Sequence, residues 1–205
     1  MNTEEHAKLF DQVAHNYDTD ECPVRGQCMQ KVLDLLAPHE NDILLDVGCG
    51  PGVQLINLAD SIRSGFGVDP SKEMIRRASQ AGARYNTIHF YVGSAQHIPP
   101  EIPSLGVNKI ISNYALHHLP DNDKLLSIQS LSALLPDNGV FILGDLIFSD
   151  DPDNYTHLFD AVGYDPGSDT PTHLASLQEM FTVAKLSVTT YVLNPLVAVI
   201  MGCKT

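Results

Sequence analysis

The run Ile43-Leu44-Leu45-Asp46-Val47 passes directly into Gly48-Cys49-Gly50-Pro51-Gly52, and this junction constrains the fold more than any other feature of the chain. Four apolar residues in five, ending in a glycine cluster, suit a short buried strand better than an amphipathic helix. The glycines allow a sharp turn and let a ligand approach the main chain with no Cβ in the way. Helical spacing follows over 53–63, and further short apolar runs come at Gly65–Val68, Thr87–Val92, Lys109–Ser112 and Val140–Leu143.

Helical patterns fill the intervals. Residues 4–14 and 26–37 carry apolar side chains three and four apart. Ser71 is placed to cap a helix over 72–80. Asp121 stands as N-cap of a helix over 121–135, with Leu125, Ile128, Leu131 and Leu135 on one face and a stop at Asp137-Asn138-Gly139. Thr170-Pro171 predicts a cap and first helical position for a helix running to about Val183. The last two apolar runs, Leu186–Leu193 and Leu196–Met201, are separated only by Asn194-Pro195. Two residues cannot make a parallel crossover, so this pair is expected as an antiparallel hairpin. Strands alternating with helices, then a hairpin, describe an open α/β sheet with helices on both faces.

Composition narrows the function. The 205 residues hold 12 Lys and Arg against 25 Asp and Glu, a net charge of −13. Nucleic acid and anionic membrane are thereby excluded as main partners, since phosphate binding needs clustered Lys and Arg. With 43% hydrophobic and 18% charged residues the chain is expected to form one globular domain over residues 1–205. The start, MNTEEHAKLF, lacks the apolar centre of a secretory leader, and Leu196–Met201 is far too short to span a bilayer. Cys22, Cys28, Cys49 and Cys203 form no CxxC, and five residues separate the first two. That pattern suits reduced thiols in a cytoplasm rather than a disulfide framework or a zinc site.

The glycine spacing separates two ligand classes. A nicotinamide or flavin loop reads GxGxxG, whereas here the third glycine comes one place early and position 53 is Val. Asp46, two residues before the first glycine, would repel a pyrophosphate and attract an ammonium or sulfonium group. Asp69, at the end of the second strand, is placed to accept hydrogen bonds from a ribose diol.

Six segments in order give a more specific signal: Phe10–Asp18 (FDQVAHNYD), LLDVGCGPG at 44–52, GVDPSKEMI at 67–75, GSAQHIP at 93–99, ISNYALHHL at 111–119 and LLPDNGVFIL at 134–143. Together they resemble class I S-adenosylmethionine-dependent methyltransferases, and are similar to the small ubiquinone-biosynthesis-type branch. The resemblance covers nearly the whole chain. It implies a Rossmann-like sheet of seven strands in order 3-2-1-4-5-7-6, with strand 7 antiparallel. It also implies S-adenosyl-L-methionine as cofactor. Gly48, Gly50 and Gly52 would line its methionine moiety, with Asp46 near the ammonium group. Asp69 would hold the ribose, Met74 would pack on the adenine, Asn113 would contribute backbone at the crevice floor, and Tyr17 would close over the methionine end. Where the family usually has Gly-Asp-Ala this chain has Gly93-Ser94-Ala95. The Ser94 hydroxyl and the Ala95 N–H are then left to meet the adenine, with a loss of ~1 kcal/mol for a neutral acceptor in place of a charged one.

His117, His118 and Asp145 are the candidates for acid–base chemistry, and no metal site is expected, because adjacent histidines on a regular element point in different directions. Residues 1–25 are expected as a helical lid. The segment 149–169, rich in Asp and carrying Tyr155, His157, Phe159 and Tyr164, is expected to shape an acceptor pocket. The expected activity is methyl transfer to a small-molecule acceptor by a monomer or homodimer. The alternative is a non-catalytic S-adenosylmethionine- or S-adenosylhomocysteine-binding protein, and a nicotinamide oxidoreductase is disfavoured by Val53.

Overall fold

A computed structural model describes residues 8, 10, 11 and 22–205. Its centre is a sheet in the order β3-β2-β1-β4-β5-β8-β7. The strands are β1 (Ile43–Val47), β2 (Ser64–Asp69), β3 (Ile88–Val92), β4 (Lys109–Asn113), β5 (Val140–Phe148), β6 (Thr172–His173), β7 (Leu186–Asn194) and β8 (Val197–Lys204). Strands β1 to β5 pair in parallel, and β8 runs antiparallel to both β5 and β7. The path is the expected one. The numbering shifts by one because the two-residue β6 adds itself beside Ile147 and Phe148 of β5.

The helices are α1 (Pro23–Leu36), α2 (Val53–Leu58), α3 (Lys72–Ala81), α4 (Asp121–Leu134), α5 (Phe159–Val162) and α6 (Leu174–Val183). The two-residue period of the strands divides the core between the faces of the sheet. Leu44, Ile111 and Ile142 join Cys28, Val32 and Leu36 of α1 and Leu55 of α2. Leu45, Ile110 and Phe141 join Ile128 and Leu131 of α4 and Phe181 of α6 on the other side. No described helix is long and apolar enough to cross a membrane.

Several boundaries depart from the sequence reading. Helix α1 begins at Pro23 rather than 26, because the Cys22 sulfur accepts the Arg25 N–H at 3.4 Å and proline takes the first turn. Helix α2 stops at Leu58, before the expected 63. Asp121 is the first residue of α4, not its cap: Pro120 occupies the cap, and the Asp121 carboxylate instead takes bonds from Thr172 and Lys124. Helix α6 starts at Leu174, since Thr170 turns its hydroxyl to the carbonyls of His117 (3.0 Å) and Leu119 (2.8 Å) and β6 follows. Strand β5 extends to Phe148 because β8 pairs along it as far as Leu146. Ser71 caps α3 as expected, its hydroxyl accepting the Met74 N–H at 3.1 Å.

Candidate active site

At the carboxyl ends of β1 and β2 the chain is tied into one unit. The Gly48 and Cys49 N–H groups donate to the Val68 carbonyl (2.8 and 3.1 Å). The Asp69 carboxylate accepts the Gly50 and Ser71 N–H groups, both at 2.9 Å. Gly48 has φ +76°, and a Cβ there would stand 2.3 Å from that of Ala115. The Ala115 methyl in the turn after β4 therefore packs directly on the glycine loop, in the space a side chain at 48 would need. Gly52 (φ +80°) sits behind the loop, where a Cβ would meet the Phe90 ring at 2.6 Å and Ala78 at 3.0 Å. It serves helix–strand packing.

A cleft of about 690 Å³ opens at this point. Six of the anticipated residues line it: Gly48, Gly50, Asp69, Met74, Ser94 and Ala95. Gly52 and Asp46 lie just behind the wall. Asn113 ends β4 and is not among the residues lining the cleft; its side-chain amide donates to Gln54 Oε1 at 2.7 Å. Tyr17 lies outside the described residues.

The electrostatics of this wall favour a cation. Asp46 is 1% exposed. Burial, reinforced by the charge of Asp69, pushes its carboxyl up to about 7. Among the described residues its Oδ1 has no hydrogen-bond partner. Asp69 is pushed up to about 6 by burial, against which the Ser71 and Gly50 N–H groups work, while Asp11 adds to the rise. Two buried carboxylates, one with an unsatisfied oxygen, are costly until a positive group or a proton joins them. The two N–H bonds on Asp69 leave its oxygens further lone pairs for a diol. Met74 and Ala95, both nearly fully buried, supply apolar surface for a flat ring. These features fit S-adenosylmethionine.

Several wall residues were not assigned to the site from the sequence, among them Phe10, Leu119 and Tyr114. Phe10 closes one side of the cleft, and its neighbour Asp11 accepts the Ser71 hydroxyl (2.5 Å) and the Glu73 N–H (3.1 Å). Leu119 completes the apolar wall. Tyr114 follows β4 with φ +48°, an uncommon conformation for a bulky side chain. Its hydroxyl is buried with no partner, and burial raises it well above the usual phenol range. Only the position of Tyr114 at a strand end could have marked it in advance.

The acid–base candidates separate. Asp145 lies inside β5, 2% exposed, and its carboxylate accepts the Leu116 (2.9 Å), His117 (3.1 Å) and Leu146 (2.9 Å) N–H groups as well as His117 Nδ1. It is a positioning residue for the turn after β4. His117 is buried behind that turn, and only His118 of the three reaches the cleft wall. Asp169, from the far end of the 149–169 segment, places Oδ1 3.0 Å from His118 Nδ1.

The methyltransferase domain family matches residues 38–187 of this chain. The chain is 32% identical over 153 residues to uncharacterized methyltransferases of Bacillus cereus and Bacillus anthracis, covering 69% of this chain and 68% of theirs. This chain belongs to the class I S-adenosylmethionine-dependent methyltransferases. Solved structures share the methyltransferase fold at low identity. The Bacillus subtilis YcgJ protein superposes with a TM-score of 0.72 at 19% identity, over 87% of this chain and 98% of its own. A methyltransferase of Haloferax volcanii, solved in complex with the Trm112 activator, gives 0.76 at 19% identity, over 95% and 96%.

Proposed function

We propose that this methyltransferase acts on a small-molecule acceptor, and that the cleft wall divides into a donor end and an acceptor end. The carrying observation is the pair of buried carboxylates, Asp46 and Asp69, beside a glycine loop with an unsatisfied Asp46 Oδ1. At the donor end the Gly48 and Gly50 backbone would hold the methionine moiety, with Asp46 toward its ammonium group and Asp69 on the ribose hydroxyls. Met74 would pack on the adenine, with Ser94 Oγ and the Ala95 N–H at its edge. When bound, S-adenosylmethionine supplies an electrophilic methyl group on a sulfonium. The chain's own residues then align the acceptor and exclude water, which is proximity and desolvation more than acid–base chemistry.

A small acceptor is favoured by the lining of the cleft, mostly apolar (Phe10, Met74, Leu116 and Leu119) with a few polar groups, as is common for small-molecule pockets. The acidic 149–169 segment and the net charge of −13 disfavour a polyanion. Phe10 in the wall and the Asp11 bonds to Ser71 and Glu73 support residues 1–25 as a cover that excludes water. The Trm112-bound archaeal neighbour motivates a second reading, a macromolecular acceptor reached with a partner protein. Incubation with methyl-labelled S-adenosylmethionine and size-fractionated cell extract separates the two. Label in the fraction below about 1 kDa is expected; label confined to protein or RNA overturns the small-molecule reading.

A further inference from the structure

Among the described residues, His117, His118 and Asp169 each offer one ligand atom lying within 4.8 Å of the other two. Of the three, His118 lines the cleft beside Leu119, and His117 and Asp169 are buried next to it. Sequence reasoning expects the two histidines to diverge. They instead share a tight 3₁₀ turn, Leu116–His118, which brings their ring centroids to 3.9 Å. Asp169 arrives from the 149–169 segment, held by the Asp165 N–H on Oδ2 (2.9 Å) and the Ser168 hydroxyl on Oδ1 (3.2 Å).

Asp145 accepts three backbone N–H groups and holds His117 through Nδ1. The other ring nitrogen, His117 Nε2, lies 3.9 Å from Asp169 Oδ1. That gap is too long for one hydrogen bond to bridge. It suits a shared cation. His118 Nδ1 lies 3.0 Å from the same oxygen. A point equidistant from three atoms so spaced falls within about 2.4 Å of each, near the ~2.0–2.2 Å of zinc bonds to nitrogen and oxygen. A carboxylate behind a ligating histidine, here Asp145 behind His117, is the usual arrangement that fixes tautomer and ring orientation at metal sites.

We propose that His117 Nε2, His118 and Asp169 bind a divalent transition-metal ion of the zinc class, with its open coordination facing the cleft. A bound acceptor oxygen or nitrogen would complete the coordination. This assignment is independent of methyl transfer, so either can fail alone.

The test uses the full-length chain without an affinity tag. Zinc(II) is titrated by calorimetry, and cobalt(II) is followed by its visible ligand-field absorption, for wild type, His118→Ala and Asp169→Asn. Circular dichroism and thermal melts without metal confirm that each variant is folded. One ion per chain is expected, with affinity lowered about tenfold or more in both variants and retained in a Cys22→Ser/Cys28→Ser double variant. His118→Ala keeps the test open should Asp169→Asn fail to fold, because His118 is the more exposed of the three. Absence of saturable zinc or cobalt binding, or equal affinity in wild type and His118→Ala, overturns the proposal.

Discussion

Gly48→Ala separates the two reasons for a glycine at the first position of the loop. The residue has φ +76°, and an L side chain in the left-handed region costs about 1–2 kcal/mol. Its new Cβ would also stand 2.3 Å from the Ala115 Cβ, a clash that neither rigid methyl can relieve by rotating. Overpacking of this kind costs about 1–3 kcal/mol, so a total destabilisation of roughly 2–5 kcal/mol is expected. The second substitution Ala115→Gly removes the struck atom and leaves the φ strain. In urea unfolding, Gly48→Ala/Ala115→Gly should be more stable than the sum of the two single variants by about 1–3 kcal/mol. Cofactor binding should fall in Gly48→Ala and partly return in the double variant. Strict additivity, or wild-type stability of Gly48→Ala, would refute the claim that close packing of Ala115 on Gly48 fixes this loop.

Further outcomes follow from the same site. Asp46 and Asp69 titrate near 7 and 6 when folded, above the ~3.9 of an unfolded carboxyl. The folded chain thus holds extra protons between about pH 4 and 7, and the stability contributed by these groups is lost as pH rises through 6 to 7. Urea unfolding from pH 5 to 8 should show that decline in wild type and a flatter profile in Asp46→Asn. Because the cationic donor favours both carboxylates, calorimetry of S-adenosylmethionine in buffers of different ionisation enthalpy at pH 6.5 should show proton release; buffer-independent heats contradict this. Asp145→Ala strands three backbone N–H groups and His117, so chemical denaturation should show a loss of about 3–5 kcal/mol; a loss below about 1 kcal/mol would contradict its positioning role. Ser71→Ala removes the α3 cap and the Asp11 contact and should cost about 1 kcal/mol by the same assay.

The centre of the sheet was legible because β1, β2, β4 and β5 are buried on both faces. Runs such as ILLDV and VFIL have no other stable placement, and the two-residue link at Asn194-Pro195 forces the terminal hairpin. The donor end was legible for a related reason: glycines, Asp46 and Asp69 act through local backbone geometry at strand ends. What escaped was non-local. Thr170 and Asp121 carry good capping chemistry, yet longer-range partners claim both side chains: His117 and Leu119 carbonyls for the first, Thr172 and Lys124 for the second. Cysteine is not a usual cap, so the start of α1 was hidden. Asp169 reaches His118 only because the 149–169 segment folds back over the turn after β4. No spacing in one sequence encodes that contact.

The central claim is that Asp69 and the glycine loop form the binding site of a methyl donor and not of a dinucleotide. Calorimetric titration of the purified chain with S-adenosylhomocysteine, S-adenosylmethionine and NAD tests it most directly, with Asp69→Ala run alongside. One-site binding of the first two is expected, no heat with NAD, and a loss of about 1.5–3 kcal/mol in Asp69→Ala with folding nearly intact. Heat with NAD and none with S-adenosylhomocysteine, or an unchanged dissociation constant in Asp69→Ala, would contradict it.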